Sequence, residues 1–387
     1  MFRKTVFWIH LICGVATGLV VLMMSVTGVI LTYERQMIAW QTNPFYSDPP
    51  AAASRLSIES LAASASLADP GFVPTSVRLD SDPRAPAMLS AGRAGTRYVN
   101  TYTGEVLGEP PRGLEDFFGA VTGWHRWFNA TGESRAAWRA VTGISNLAFL
   151  FLIVSGLYLW LPRVYKWAMF KSHLAFNKHA LKGKARDYNW HHVFGFWTAI
   201  PLFVVVATAV VFSYPWASNA VYRAFGEEPP AGRGPPPPAA QGSVAAAPGS
   251  AAGNSGSRAP MPLDSLFDRA ASQVDDDWQT ITVNLPQPGA TTVSFAIDQG
   301  NGGQPQLRHS LTLDSTSGKV KAWAPFESQT PGRRARSWVR FLHTGEALGI
   351  VGQTIAGLVS LTSVIMVWTG LALAYRRLIV PLFRQKS

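Results

Sequence analysis

Apolar residues gather in four long runs, Val6–Leu31, Ile144–Leu161, Trp190–Phe212 and Ile350–Ala374. Each is about long enough to cross a hydrocarbon core of about 30 Å as a helix rising about 1.5 Å per residue. Between the first and second runs, and again between the third and fourth, the pattern changes to that of a water-exposed domain. Helix-period stretches, Ile58–Leu67 and Leu263–Val274, come first in each connection. Alternating segments such as Thr280–Leu285 and Thr292–Ile297 follow and predict strands. Each connection therefore reads as one helix packed on a small antiparallel sheet. The predicted fold is an α-helical membrane protein: a bundle of four transmembrane helices with two α+β domains outside the membrane.

The two halves repeat this plan, and the repeat extends to short motifs. Tyr98–Leu107 matches Leu311–Val320, each a strand, a tight turn with glycine, and a return strand. His10 precedes Gly14 by four residues, and His191 precedes Gly195 by four. Spans one and three carry Val26-Thr-Gly-Val and Ala207-Thr-Ala-Val; spans two and four close with Ser155-Gly-Leu-Tyr and Thr369-Gly-Leu-Ala. Thr-Gly-Glu recurs at 131–133 and 344–346. Such self-similarity indicates internal duplication. The small residues allow close helix approach, or room beside a flat macrocycle.

These patterns divide the chain into a first helix (1–33), an outer domain (34–140), a second helix (141–162), a basic loop (163–189) and a third helix (190–213). A second outer domain (214–342), a fourth helix (343–376) and a tail (377–387) complete it. Residues 227–260, rich in Pro, Ala, Gly and Ser, lack apolar residues for a core and read as a disordered insert. Composition agrees with a membrane protein bearing soluble parts: 47% hydrophobic, 15% charged, with 14 Trp and 21 Phe among 387 residues.

The net charge of +11 becomes informative once divided by side. Segments 1–5, 163–189 and 375–387 hold 13 Lys/Arg against one acid, Asp187, whereas the two long connections hold 21 of each sign. The positive-inside rule then makes both termini and the short loop cytoplasmic. The basic excess is explained by topology and anionic lipid, with no support for nucleic-acid binding. The lone Cys13 excludes an intramolecular disulfide, a Cys-ligated iron–sulfur cluster and covalent haem attachment.

Four of the eight histidines, His10, His125, His191 and His343, sit at or just before the four runs. By the topology above, His10 and His191 share one membrane face and His125 and His343 the other. Neutral imidazoles facing each other at matched depth suit axial ligation of a haem iron, here of b type. Two such pairs would form a wire across the membrane. The competing reading is that interfacial histidines satisfy backbone groups or lipid headgroups. His192 competes with His191, since adjacent helix positions point about 100° apart; the His-x-x-x-Gly spacing favours His191. His173 and His179 fall in the basic loop. His309 shares a strand face with Leu307, Leu311 and Leu313 and reads as a satisfied sheet histidine. Asp275-Asp276-Asp277 reads as an acidic turn after a helix. No hydrolase, kinase or dinucleotide fingerprint is found, so any reductant must come from another molecule.

With these residues in hand, the chain resembles the PepSY-associated transmembrane family, in particular its FoxB-like ferric-siderophore reductases of bacterial inner membranes. The resemblance is carried by Ile9-His10-x-x-x-Gly14, Gly123-Trp-His125-Arg-Trp, Ser155-Gly-Leu-Tyr-Leu-Trp-Leu-Pro162, His191-His-x-x-Gly195 and Phe341-Leu-His343-Thr-Gly-Glu-x-x-Gly349. It implies two PepSY-like extracytoplasmic domains and two haem b groups, the inner held by His10 and His191 and the outer by His125 and His343. It further implies an oxidoreductase that passes electrons from a quinol or a cytoplasmic-side donor to a ferric siderophore, releasing iron as Fe(II). A different class, a membrane-anchored PepSY module that restrains a peptidase or envelope partner without redox activity, is the alternative. A transporter ranks third, because no broken or charged helix interrupts the mid-membrane runs.

Overall fold

The structure is a computed structural model that describes residues 1–162, 167–180, 182–230 and 259–384. Most of the Pro/Ala/Gly-rich insert (231–258) and residues 163–166 of the basic loop lie outside the described residues. In chain order the helices are α1 (Phe2–Ile30), α2 (Glu34–Gln41), α3 (Ile58–Ala68), α4 (Gly113–Trp127), α5 (Ser134–Trp160) and α6 (Trp167–Leu174). There follow α7 (Gly183–Ser213), α8 (Pro215–Ala224), α9 (Leu263–Ser272), α10 (Pro331–Thr344), α11 (Gly349–Leu378) and α12 (Val380–Arg384). The strands are β1 (Ser76–Asp80), β2 (Ala87–Ser90), β3 (Thr96–Val99), β4 (Val106–Gly108), β5 (Thr280–Asn284), β6 (Thr292–Asp298), β7 (Arg308–Asp314) and β8 (Val320–Ala324). They divide between two compact units, one of residues 1–34, 115–229 and 335–387, the other of 35–114 and 230–334.

The first unit is a helical bundle. α1, α5, α7 and α11 are each long and apolar enough to cross a membrane. α5 begins ten residues and α7 seven residues before the apolar runs Ile144–Leu161 and Trp190–Phe212, because polar first turns continue the helix beyond the hydrophobic stretch. α1 packs on α5 and α11, and α7 packs on the same two, so α1 faces α7 across one diagonal and α5 faces α11 across the other. Ile153, Leu202, Val206 and Val359 fill the middle of the bundle. Polar groups join the helices where the lipid solvent offers no alternative: Ser25 and Ser363 hydroxyls meet at 2.9 Å, and Asn146 donates to the Val206 carbonyl at 3.2 Å. Buried Asp187, in the first turns of α7, accepts from Arg186 at 2.8 Å and from Arg376 of α11.

The second unit holds one continuous antiparallel sheet in the order β4-β3-β2-β1-β5-β6-β7-β8. Two separate small sheets are the sequence expectation; instead β1 and β5 pair along their full length, Ser76 with Asn284 through Asp80 with Thr280. The reason is that Val77 and Leu79 face the same side as Val283 and Ile281, so joining the edges buries both sets in one core with α3 and α9. The helix starts also cap each other. The Ile58 amide donates to Asp264 at 3.2 Å, and the Leu263 amide donates to Glu59 at 2.6 Å. The turns after β3 and β7 are alike in detail: Asn100 Oδ1 accepts from the Tyr102 and Thr103 amides, as Asp314 Oδ1 does from Thr316 and Ser317. Gly104 and Gly318 follow at φ +74° and +64°, conformations costly for a residue with a Cβ. This matches Asn100 to Asp314, one residue displaced from the correspondence read in the sequence. Asp275 and Asp276 form a left-handed turn after α9.

Candidate functional site

The four histidines occupy two layers of the bundle. His10 is on α1 and His191 on α7, across a diagonal; the two lie within electrostatic reach of each other. His125 and His343 do not sit on the spans. They end two short amphipathic helices, α4 and α10, that precede α5 and α11. Each of these helices is closed by a left-handed turn: Phe128, Asn129 and Gly132 after α4, Gly345 and Gly349 after α10. The repeated Thr-Gly-Glu marks this turn, which lets a short helix end beside its histidine and the next span start afresh. The rings of His125 and His343 lie 6.3 Å apart between centroids, inclined at 65°.

Every one of the four rings is held at Nδ1 by a hydroxyl on an adjoining span. His10 meets Ser155 of α5 at 2.8 Å and His125 meets Thr27 of α1 at 2.9 Å. His191 meets Thr369 of α11 at 3.2 Å and His343 meets Thr208 of α7 at 3.3 Å. Each hydroxyl proton is already directed at the carbonyl one turn back: Phe151, Met23, Ile365 and Val204, at 2.7–2.9 Å. The hydroxyl oxygen is thus left to accept, and Nδ1 must carry the imidazole proton. Backbone carbonyls require the same tautomer, since a carbonyl only accepts. Nδ1 of His343 lies 2.8 Å from the Val205 carbonyl and that of His191 lies 3.1 Å from the Met366 carbonyl. All four rings therefore present Nε2 as a bare lone pair.

The residue after each hydroxyl explains the small positions. A Cβ on Gly156 would come within 3.4 Å of His10 Cε1, and one on Gly370 within 3.3 Å of His191 Cε1. A Cβ on Gly28 would stand 3.8 Å from His125 Cε1 and 3.2 Å from the Ser360 hydroxyl. Gly370 therefore makes room for its imidazole, Gly156 stands at ordinary contact distance from His10, and Gly28 makes room for the Ser360 side chain. Ala209 takes the fourth position. Gly14, one turn beyond His10, has nothing nearer its missing side chain than Leu152 at 4.0 Å.

Burial, with His343 opposite, pushes the His125 imidazole down to about 4; burial also lowers His343. Both rings stay neutral at physiological pH, the form that offers a lone pair. His125, His191 and His343 are each partly buried. His192 points elsewhere: its Nδ1 lies 2.8 Å from the Tyr188 carbonyl, and its ring lies tilted against those of Tyr188 and His173, with centroids 4.0 and 4.9 Å away. His309 bonds Gln299 through Nε2 at 2.7 Å and lies on Trp323, in the other unit. Among the described residues no group of three or more His, Cys, Asp and Glu could hold a metal ion. A macrocycle that brings four ligands of its own needs only two.

A chain with four spanning helices, a long sheet-bearing unit and these motifs meets the pattern of one known family: the model of the PepSY-associated TM region matches residues 7–377. The chain belongs to the PepSY-associated transmembrane family. It is accordingly a membrane protein, and the match runs through both halves and all four histidines. No curated protein matches the chain. Sequence reasoning named the four histidines and noticed the Ser/Thr–small pairs, but read the small residues as close helix approach or room beside a flat macrocycle and gave the hydroxyls no role. The hydroxyls at 27, 155, 208 and 369 are what it missed. Their signal was present: a Ser or Thr directly before the small residue in every span.

Proposed function

We propose that this protein carries electrons across the bacterial inner membrane through two haem b groups and reduces a ferric siderophore on the periplasmic side, a FoxB-like role. His10 and His191 would hold the haem nearer the cytoplasm, and His125 and His343 the haem nearer the periplasm. The observation that carries the reading is the shared setting of the four rings: each Nδ1 is bonded to a Ser or Thr hydroxyl of an adjoining span, and the rings are arranged as two pairs across the bundle.

The residues fit the group. Two imidazoles that each place a nitrogen about 2 Å from one metal have centroids roughly 6 Å apart, and His125 and His343 are at 6.3 Å. Metal-bound histidines characteristically donate their second N–H to a neighbouring acceptor, and all four do so here. Along α1, His10 and the partner of His125, Thr27, are separated by seventeen residues; along α7, His191 and the partner of His343, Thr208, are separated by the same number. The layers then lie about 25 Å apart, close to the thickness of the hydrocarbon core. When bound, haem supplies a one-electron couple at each layer. The protein's part is to fix the rings, keep them neutral and exclude water from the bundle interior, which Ile153, Leu202, Val206 and Val359 do between the layers.

A siderophore presents hard oxygen donors that hold Fe(III) far better than Fe(II), so one added electron loosens the metal with no covalent step on the ligand. The basic segments carry the orientation, with both termini cytoplasmic, and the doubled motifs derive from one duplicated half. The electron donor belongs to the cytoplasmic side, a quinol or a soluble reductant. The test is an absorption spectrum of detergent-purified protein, oxidised and dithionite-reduced, with a haemochrome count and a ferric-siderophore reduction assay. Two low-spin b haems per chain and chelate reduction support the proposal. Haem-free protein after expression with ample haem supply overturns it and leaves a membrane-anchored PepSY binding module as the reading.

A further inference from the structure

The layer of His125 and His343 is strongly basic. The segments that carry these histidines into the next spans, residues 120–140 and 335–349, hold five arginines, Arg126, Arg135, Arg139, Arg336 and Arg340, against two acids, Glu133 and Glu346. Glu346 is buried, whereas Arg126, Arg135, Arg139 and Arg340 are exposed. Basic residues beside a span are normally kept to the cytoplasmic side, and on the orientation proposed above these stand on the other. Packing gathers them. The Arg126 and Arg135 guanidiniums share the Trp127 ring, 4.7 and 3.9 Å from its centroid. The Thr142 hydroxyl sits between the carbonyls of Arg126 and Arg139, at 2.7 and 3.1 Å, and so ties the end of α4 to α5. On α10, Arg336, Arg340 and His343 follow the i, i+4, i+7 spacing of one helix face. The Arg336 guanidinium lies 5.3 Å from the Phe212 ring, which meets His343 edge-on at 5.6 Å. With His125 and His343 6.3 Å apart, both groups of arginines flank one histidine pair. Among the described residues no carboxylate pairs with Arg126, Arg135, Arg139 or Arg336.

We infer that these arginines form the docking surface for the chelate and select ferric chelates of net negative charge. This rests on the haem reading above. Five guanidiniums outnumber the two carboxylates that a haem b carries, so the cofactor does not account for them. A patch of one sign raises the local concentration of its counter-ion and speeds its capture, and guanidinium pairs well with carboxylate oxygens. The same field favours the transfer itself. One electron leaves the outer layer, where haem iron returns from Fe(II) to Fe(III), and the chelated Fe(III) becomes Fe(II). No bond of the chelating ligand breaks in that step. The chelate gains one negative charge, which nearby cations stabilise.

The test compares two chelates with the same iron core: a linear ferric trishydroxamate whose free arm ends in an ammonium, and its N-succinylated derivative, whose arm ends in a carboxylate. Reduced, full-length, haem-loaded protein in nonionic detergent is mixed with each, and haem reoxidation is followed by stopped-flow absorption. Redox-inert gallium(III) forms of both report binding alone, by equilibrium dialysis. The anionic chelate is expected to bind more tightly and to react about tenfold faster at low ionic strength, an advantage that shrinks as salt is raised. Arg135→Gln with Arg139→Gln should cut the advantage to about threefold at unchanged haem content, and Arg135→Lys with Arg139→Lys should keep it. Equal handling of the two chelates by wild-type protein, or a preference that the glutamine variant leaves unchanged, overturns the inference while leaving the haem reading intact. Loss of haem from the glutamine variant does the same, because it assigns these arginines to the cofactor. Wild-type protein with no haem overturns both.

Discussion

Haem counting in double variants tests which histidines act together. In the proposed arrangement the ligand pairs join the two halves, His10 to His191 and His125 to His343, whereas each hydroxyl bond stays within a half. The layers lie about 25 Å apart by the helical rise between His10 and Thr27. No ligand can cross from one layer to the other, since a side chain reaches only a fraction of that distance. Replacing both members of one pair, His10→Ala with His191→Ala, should therefore remove one haem and leave one. Replacing one member of each, His10→Ala with His125→Ala, should remove both. The assay is pyridine haemochrome per mole of purified chain, with low-spin signals followed by electron paramagnetic resonance. A two-haem pairing within halves gives the opposite result: one haem left in the His10/His125 double variant and none in the His10/His191 variant. That outcome would refute the diagonal arrangement. Equal, partial losses in all double variants would refute the two-layer site altogether.

Other expectations follow from single contacts. Gly370→Ala puts a methyl 3.3 Å from His191 Cε1, so the spectrum of the haem on His10 and His191 should shift while the other stays unchanged. Asp187→Asn removes the buried charge that holds Arg186 and Arg376; the cost should be roughly 3 kcal/mol, the low end for a broken buried pair because both arginines keep about a third of their side chains exposed, read as a lower unfolding midpoint in detergent. Glu59→Ala and Asp264→Ala each remove one crossed helix cap and should each cost about 1 kcal/mol, measured by denaturant unfolding; a neutral effect of both would show that the caps do not bind the two halves of the sheet. With Cys13 replaced by serine, Lys178→Cys should react with a membrane-impermeant thiol reagent only after the membrane is opened, and Lys321→Cys should react in intact spheroplasts. The reverse labelling would invert the topology.

Much of this protein is written in local patterns. Four apolar runs specify four spanning helices, because a backbone in lipid must satisfy its own hydrogen bonds, and α1, α5, α7 and α11 are those runs extended by a few polar turns. Alternation at Val77 and Leu79, and at Ile281 and Val283, specifies strands with one buried face. The histidines were legible for the same kind of reason, an ionisable side chain at a membrane position repeated in both halves. What periodicity cannot contain is which edges and diagonals meet. Nothing local in β1 or β5 tells that their edges join, since an isolated edge and a paired one have the same side-chain pattern; shared burial with α3 and α9 decides it. Likewise the pairing of His10 with His191 depends on the order of helices around the bundle, and the tautomer of each ring depends on a hydroxyl 98 to 178 residues away. Sequence supplied the groups and their depth; only packing in three dimensions assigned each imidazole its partner, because hydrogen bonds between spans are set by which helix faces which.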